Sequence, residues 1–252
     1  MNKTNIKTLI YILILFAIIV FVAVALSLKD NKNKTTINTN VVVDSDLVLK
    51  YNRGEWTNLY SIDDIAMEKF KVYRKNSYVG EYKITETNNK YYFFNDDYES
   101  IKIKSPYIAF SKKSNMAIKK YKKQEFNDND YNIIDRYLKK IKVSYSGDYS
   151  VQEKYETNLN NNDTKDYIYI LSNQLYSDEV FYIIFAKIDN KYVTINKQVN
   201  EEKINSYNLG WILSTSSSSY NDILLSETKF EAKEYSLYRY SRGEYKKVIP
   251  KV

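Results

Sequence analysis

Residues 158–172 read NLNNNDTKDYIYILS, and this stretch decides how the body of the chain folds. A polar, Asn-rich loop runs straight into a short apolar run built of Tyr, Ile and Leu. Tyr and Ile favour strands, and the run is too short for a core helix. The pattern then continues as Val180–Ile188, a turn at Asp189-Asn190, and Lys191–Ile195. A second, weaker copy follows: the polar run Ser214–Asp222, apolar Ile223–Ser226, aromatic Glu234–Tyr240, a turn at Arg242-Gly243, and Glu244–Ile249. Each copy reads as loop, strand, connector and hairpin. Asp166 and Asp222 lie at different distances from the Ser that follows, so aligning the copies needs a gap.

Upstream, strands and turns alternate from Val41 to about Pro106. Phe70–Arg74, Lys75–Ser77 and Tyr78–Ile84 form a predicted hairpin; Tyr91–Phe94, Ser100–Lys104, Tyr107–Phe110 and Met116–Phe126 extend the sheet. One helix interrupts them. Tyr131, Ile134, Leu138 and Ile141 recur three and four apart as an apolar stripe, with Asn127 or Asp128 placed to cap the start. Lys139, Lys140 and Lys142 suit the negative end of its dipole. A boundary is expected near residues 143–150, dividing a β-rich domain at 47–145 from a second at 146–252.

The N-terminal part is of another kind. Thr8–Leu28 is uncharged and apolar throughout. At about 1.5 Å per residue it spans roughly 30 Å, one bilayer core. It is expected to be a membrane helix between a tail at 1–7 and a flexible linker at 29–46, whose polar part is Lys29–Asn40. Ala23-Val24-Ala25 resembles a signal-peptidase site, but the apolar run continues beyond it, which favours an uncleaved anchor. Lys3 and Lys7 precede the span and Lys29, Lys32 and Lys34 follow it, so the flanking charges hardly set an orientation. The short basic tail fits a cytoplasmic N-terminus with the body outside. The expected fold class is therefore an N-terminal transmembrane helix followed by a mainly β (α+β) ectodomain with one amphipathic helix.

Composition narrows the chemistry. The 252 residues include 38 Lys+Arg, 31 Asp+Glu, 27 Tyr, 5 Gly and 2 Pro, and neither Cys nor His. Disulfides, thiolate nucleophiles, a Ser-His-Asp triad and imidazole metal sites are excluded. Richness in Lys, Asn, Ile and Tyr points to an A+T-rich, low-G+C bacterial coding sequence. Of the net +7, residues 1–34 hold five lysines against Asp30, leaving the body 33 basic and 30 acidic groups. That balance indicates no nucleic-acid partner. Charge is clustered locally, however: Lys102–Lys142 contains twelve basic and four acidic residues. Within it, Ala117–Lys123 reads AIKKYKK, which puts Lys119, Lys120, Lys122 and Lys123 on both faces of a strand. Such a strand cannot lie between packed layers and is expected at an edge or on an arm. There it either solvates the surface or meets polyanions, either anionic lipid or a wall polymer.

The segment Asn158–Ile170 resembles the FG-GAP/VCBS repeats of bacterial surface proteins and integrin-like propellers, and the layout resembles membrane-anchored proteins of low-G+C bacteria. The resemblance implies a loop that holds Ca²⁺ ahead of an apolar strand. Asn158 stands where those repeats typically have Asp, and Asp163 where they have Gly. Two partial units cannot close a propeller, which needs four or more blades. The oxygens of Asn158, Asn160, Asn162 and Asp166, with the Thr164 carbonyl, supply hard ligands for weak Ca²⁺ binding; the plainer reading is an Asn-rich turn. Asp63-Asp64 and Asp96-Asp97 are candidate hydrolytic carboxylates or turn residues. Trp56, Trp211 and the tyrosines are candidates for sugar stacking or for the core. Three functions follow as expectations: a non-catalytic binding module at the cell envelope, a carboxylate-only hydrolase of envelope glycans, or a structural subunit of a membrane complex.

Overall fold

The computed structural model describes residues 38–249, apart from 45–46, 60–64, 66–67, 88–89, 144–149, 173–180, 200–205, 216–217 and 230–231. The expected membrane span Thr8–Leu28, its tail and the Ala23–Ala25 site lie outside these residues. Among the described residues no helix is long and apolar enough to cross a membrane. Asn38–Val252 forms one compact unit.

The first strands are short and paired antiparallel: β1 (Thr39–Val43), β2 (Leu47–Asn52), β3 (Glu55–Asn58), β4 (Lys69–Arg74), β5 (Ser77–Thr87), β6 (Lys90–Phe94), β7 (Ser100–Ile101) and β8 (Tyr107–Ser111). They make one eight-stranded sheet in the order β3-β2-β1-β8-β4-β5-β6-β7. The predicted hairpin is β4–β5, and the chain turns at Lys75, whose φ of 53° is left-handed. The linker expectation at 29–46 fails at its end. Val41, Val42 and Val43 are fully buried in β1, between β2 and β8. Three consecutive valines with both faces covered read as a central strand, and the polar residues before them hid its start.

The remaining strands repeat a plan. In one sheet, β11 (Ser150–Thr157), β12 (Asp166–Ser172), β13 (Phe181–Ile188) and β14 (Lys191–Val199) follow each other as a meander. In the other, β15 (Ser206–Ser214), β16 (Asp222–Lys229), β17 (Ala232–Ser241) and β18 (Glu244–Ile249) do the same. Asp166 and Asp222 each begin the second strand and are each fully buried. Both final hairpins turn through a residue with positive φ, Asp189 at 52° and Arg242 at 53°. Both carry a bulge at the same place, with Ile195 and Val248 the extra residues, each five positions past its turn. The weak echo in sequence is thus a shared four-strand unit. Its first strand was not part of the sequence pattern.

Met116–Phe126 is two strands rather than one. β9 (Ala117–Lys119) pairs with β15, and β10 (Lys122–Gln124) pairs with β11. The segment therefore edges both repeat sheets and steps from one to the other at Lys120-Tyr121. This also overturns the division at residue 145, because strands from the expected first domain complete both sheets of the second.

The helix α1 (Asp128–Lys140) is capped by Asn127 in a capping box with Asp130. Its buried face is Ile133, Ile134, Tyr137 and Leu138, whereas Tyr131, expected on the stripe, is 48% exposed. Tyr137 stacks on Phe185 at 3.9 Å between ring centroids, and Phe185 on Tyr169 at 4.9 Å. The layers run from α1 to the β10–β14 sheet, then to the β9/β15–β18 sheet, then to the eight-stranded sheet. The outer face of the last packs on Ile65, Leu59, Ile101 and Ile103. Among the described residues the architecture is mainly β with one helix and no closed barrel; the β bias and the one amphipathic helix are what composition and patterning led us to expect.

Candidate functional site

The basic segment is shaped by its neighbours. Tyr121 turns inward between the two repeat sheets, its ring edge-on to Tyr155 at 5.3 Å. Its hydroxyl donates to the carbonyls of Leu209 at 3.1 Å and Gly210 at 2.9 Å. Those carbonyls belong to a bulge in β15, where the ladder skips Gly210. With Tyr121 pinned there, its lysine neighbours are forced outward. Lys120, Lys122 and Lys123 are exposed and Lys119 is half-buried. Among the described residues only Lys123 of the four has an acidic partner, Glu153 at 2.8 Å. Thr157 Oγ1 donates to the Lys120 carbonyl at 3.1 Å and fixes the crossing. The reading of this strand as an edge holds for both sheets at once.

The Asn-rich loop is arranged differently from the ligand set drawn from sequence. The two carboxylate oxygens of Asp166 accept the backbone N–H groups of Leu159 at 2.7 Å and Asp189 at 3.2 Å. Burial raises its carboxyl pKa above the ordinary range, against the pull of those bonds. Asn158 Nδ2 donates to the carbonyls of Asn162 and Thr164. The carboxylate that gathers the loop's side chains is instead Asp189 of the β13–β14 turn, which the sequence reading treated only as a turn residue. It accepts from Asn160 at 3.1 Å, Asn162 at 3.0 Å and Thr164 Oγ1 at 2.9 Å, and these bonds hold its pKa low. Asn160, Asn162 and Thr164 therefore do converge, but on Asp189 rather than with Asp166, and Asn158 joins them only through the loop's own carbonyls. Among the described residues no group of three or more carboxylates is placed to hold a metal ion. The loop closes on itself as a network of turns. It also meets its counterpart in the second unit, where Asn221 N–H donates to the Leu159 carbonyl at 2.7 Å.

Other candidates resolve into structure. Trp56 and Trp211 are 4% and 1% exposed, so neither offers a stacking face on the surface. Trp56 Nε1 donates to Asp222 at 2.7 Å, and Trp211 Nε1 to the Lys75 carbonyl at 2.8 Å. Asp222 also holds Arg239 of its own sheet at 2.7 Å, while the Trp56 bond ties that sheet to the eight-stranded one. Asp96 is exposed and paired with Lys69 at 2.7 Å, while Asp63-Asp64 lie outside the described residues. The remaining buried aspartates are engaged as well. Asp44 accepts from Tyr107 N–H and the Tyr235 hydroxyl, and Asp130 from Lys154 and Tyr169.

Fold and site together define a layered antiparallel β protein with a lysine-bearing edge. In comparison with family models, curated proteins and solved structures, the chain matches none.

Proposed function

We propose that the chain is a non-catalytic binding module, anchored in a bacterial membrane by Thr8–Leu28 with its body outside the cytoplasm. The edge segment Lys119, Lys120, Lys122 and Lys123 binds polyanions, either anionic lipid headgroups or a wall polymer. One observation carries this reading: the lysines stand on a double edge, and among the described residues only Lys123 is paired with an acid. Lysines at a sheet edge also discourage strand pairing, a role that asks for no contact with a partner. A hydrolase reading has less support, since the buried aspartates at 44, 130, 166 and 222 are all taken up by donors.

Each lysine near an anionic surface contributes about 1 kcal/mol. The attraction is screened beyond roughly 10 Å at 0.1 M salt. Residues 35–252 should bind phosphatidylserine-containing vesicles, or a purified wall polyanion, at low salt and release them as salt rises. Changing the four lysines to Gln should weaken binding by about tenfold or more. Co-sedimentation at matched ionic strength tests this. Equal binding by parent and quadruple variant, or none by either, would reduce the segment to a solvated edge.

A further inference from the structure

We propose that a cavity of about 540 Å³ beside the β9/β15–β18 sheet seats one anionic sugar residue. The proposal deepens the polyanion reading and rests on it for the origin of the sugar. The cavity forms where the β4–β5 turn, Lys75-Asn76, faces Asn208–Trp211 of β15, Ser226 of β16 and Lys233 and Tyr235 of β17. Its size falls within the roughly 300–1,000 Å³ of small-molecule sites. Tyr121, which pins the basic segment, also lines it.

The lining chooses the ligand class. Among the described residues its charged lining residues are Lys75 and Lys233, and no Asp or Glu lines it. Behind Lys233 stands Asp44, 3.5 Å away. Its carboxylate already takes the Tyr107 N–H at 2.8 Å and the Tyr235 hydroxyl. The rim therefore carries one net positive charge. That suits a carboxylate or a single phosphate group and is too little for a polyphosphate.

The neutral polar groups are the carboxamides of Asn76 and Asn208 and the Ser226 hydroxyl, which match a ring bearing hydroxyls. Asn76 Oδ1 is shut off from solvent without a hydrogen-bond partner, an arrangement that costs stability until a donor arrives. A small turn of this carboxamide brings it to a sugar hydroxyl or amide N–H. Pro106 and the edges of Trp211 and Tyr235 supply the apolar wall such a ring packs on. Gly210 on the β15 side is a glycine because the next strand comes close: a Cβ there would stand 2.9 Å from the Leu224 carbonyl oxygen.

The test titrates glucuronate, glucose 6-phosphate and glucose into the full chain in mild detergent, followed by ligand-observed NMR. At least one charged sugar should bind about tenfold more tightly than glucose, the worth of one charge-assisted contact. Preference for glucuronate assigns a carboxylate sugar, and preference for glucose 6-phosphate a phosphate-bearing one. Asn76→Ala and Lys233→Met should each weaken binding about tenfold. Circular dichroism checks that each variant is folded, and Asn76→Ala, in a turn, is the safer of the two. The quadruple Lys→Gln variant of the edge should still bind the monosaccharide while losing the polymer. This separates failure of the cavity from failure of the edge. Equal affinity for all three sugars, or unchanged binding by folded Asn76→Ala, would overturn the site.

Discussion

Asp130 serves three partners at once. It closes the capping box of α1 by accepting the Asn127 N–H at 2.9 Å. It accepts the Tyr169 hydroxyl at 2.8 Å and pairs with Lys154 at 2.7 Å. Lys154 is itself buried, so removing the carboxylate strands an ammonium inside the protein. Asp130→Ala should therefore cost about 3–5 kcal/mol, read as a lower urea midpoint with unchanged slope. Burial pushes the Asp130 carboxyl up, but the bonds from Lys154, Asn127 and Tyr169 outweigh it and hold its pKa low. Its contribution is then complete above the unfolded value of about 3.9 and lost as pH falls through the lower folded value. Asp166 has the opposite sign: its raised pKa makes the native state bind a proton more readily. Stability tied to it falls as pH rises from the ordinary carboxyl value through the raised one. Asp130→Ala should flatten the acid limb of the stability profile, while Asp166→Asn should remove a loss on its neutral side. In sequence, Asp130 was legible only as an acid in the first turn of a helix. Lys154 lies 24 residues away and nothing local announced the pair.

At the scale of elements, periodicity was a good guide wherever one face is buried. The β4–β5 hairpin, the capped helix and both turned hairpins of the repeat stand where alternation and turn residues put them. It misjudged Tyr131, because a stripe spaced three and four apart has two neighbouring solutions. The aromatic stack of Tyr137 on Phe185 selected the one through Ile133 and Tyr137. It misjudged Met116–Phe126 because a run of edge residues looks the same whether it borders one sheet or two. The step at Lys120-Tyr121 follows from sheets packing about 10 Å apart, a distance the segment must cross to reach the second ladder. That crossing carries a prediction. Separate fragments 47–145 and 146–252 should each fail to fold, since the first lacks β1 from inside the eight-stranded sheet and the second lacks β9, β10 and α1. Residues 38–252 should unfold in one cooperative transition. Far-ultraviolet circular dichroism with thermal melts measures both, and a well-folded 146–252 fragment would restore the boundary near residue 145.

At the scale of the whole molecule, the proposed anchor makes its own prediction. Protease added to intact protoplasts should remove the body beyond about residue 40; protection until lysis would place it inside. The apolar length of Thr8–Leu28, the absence of Cys and His, and the β bias of a Tyr- and Ile-rich body were all determined by the sequence alone. These are properties of composition and of near neighbours along the chain, where residue type sets the physics without knowledge of distant partners. The tertiary structure alone decided that Val41–Val43 is a central strand and that Ala117–Gln124 edges two sheets. It alone turned Asp166 inward on backbone N–H groups, left Asp189 as the loop's carboxylate, and enclosed the cavity under Lys75-Asn76. Each of these depends on which distant segment supplies the hydrogen-bond partner or covers the face. Strand pairing across a hundred residues is chosen by the global sum of buried area and satisfied polar groups, which no local pattern encodes.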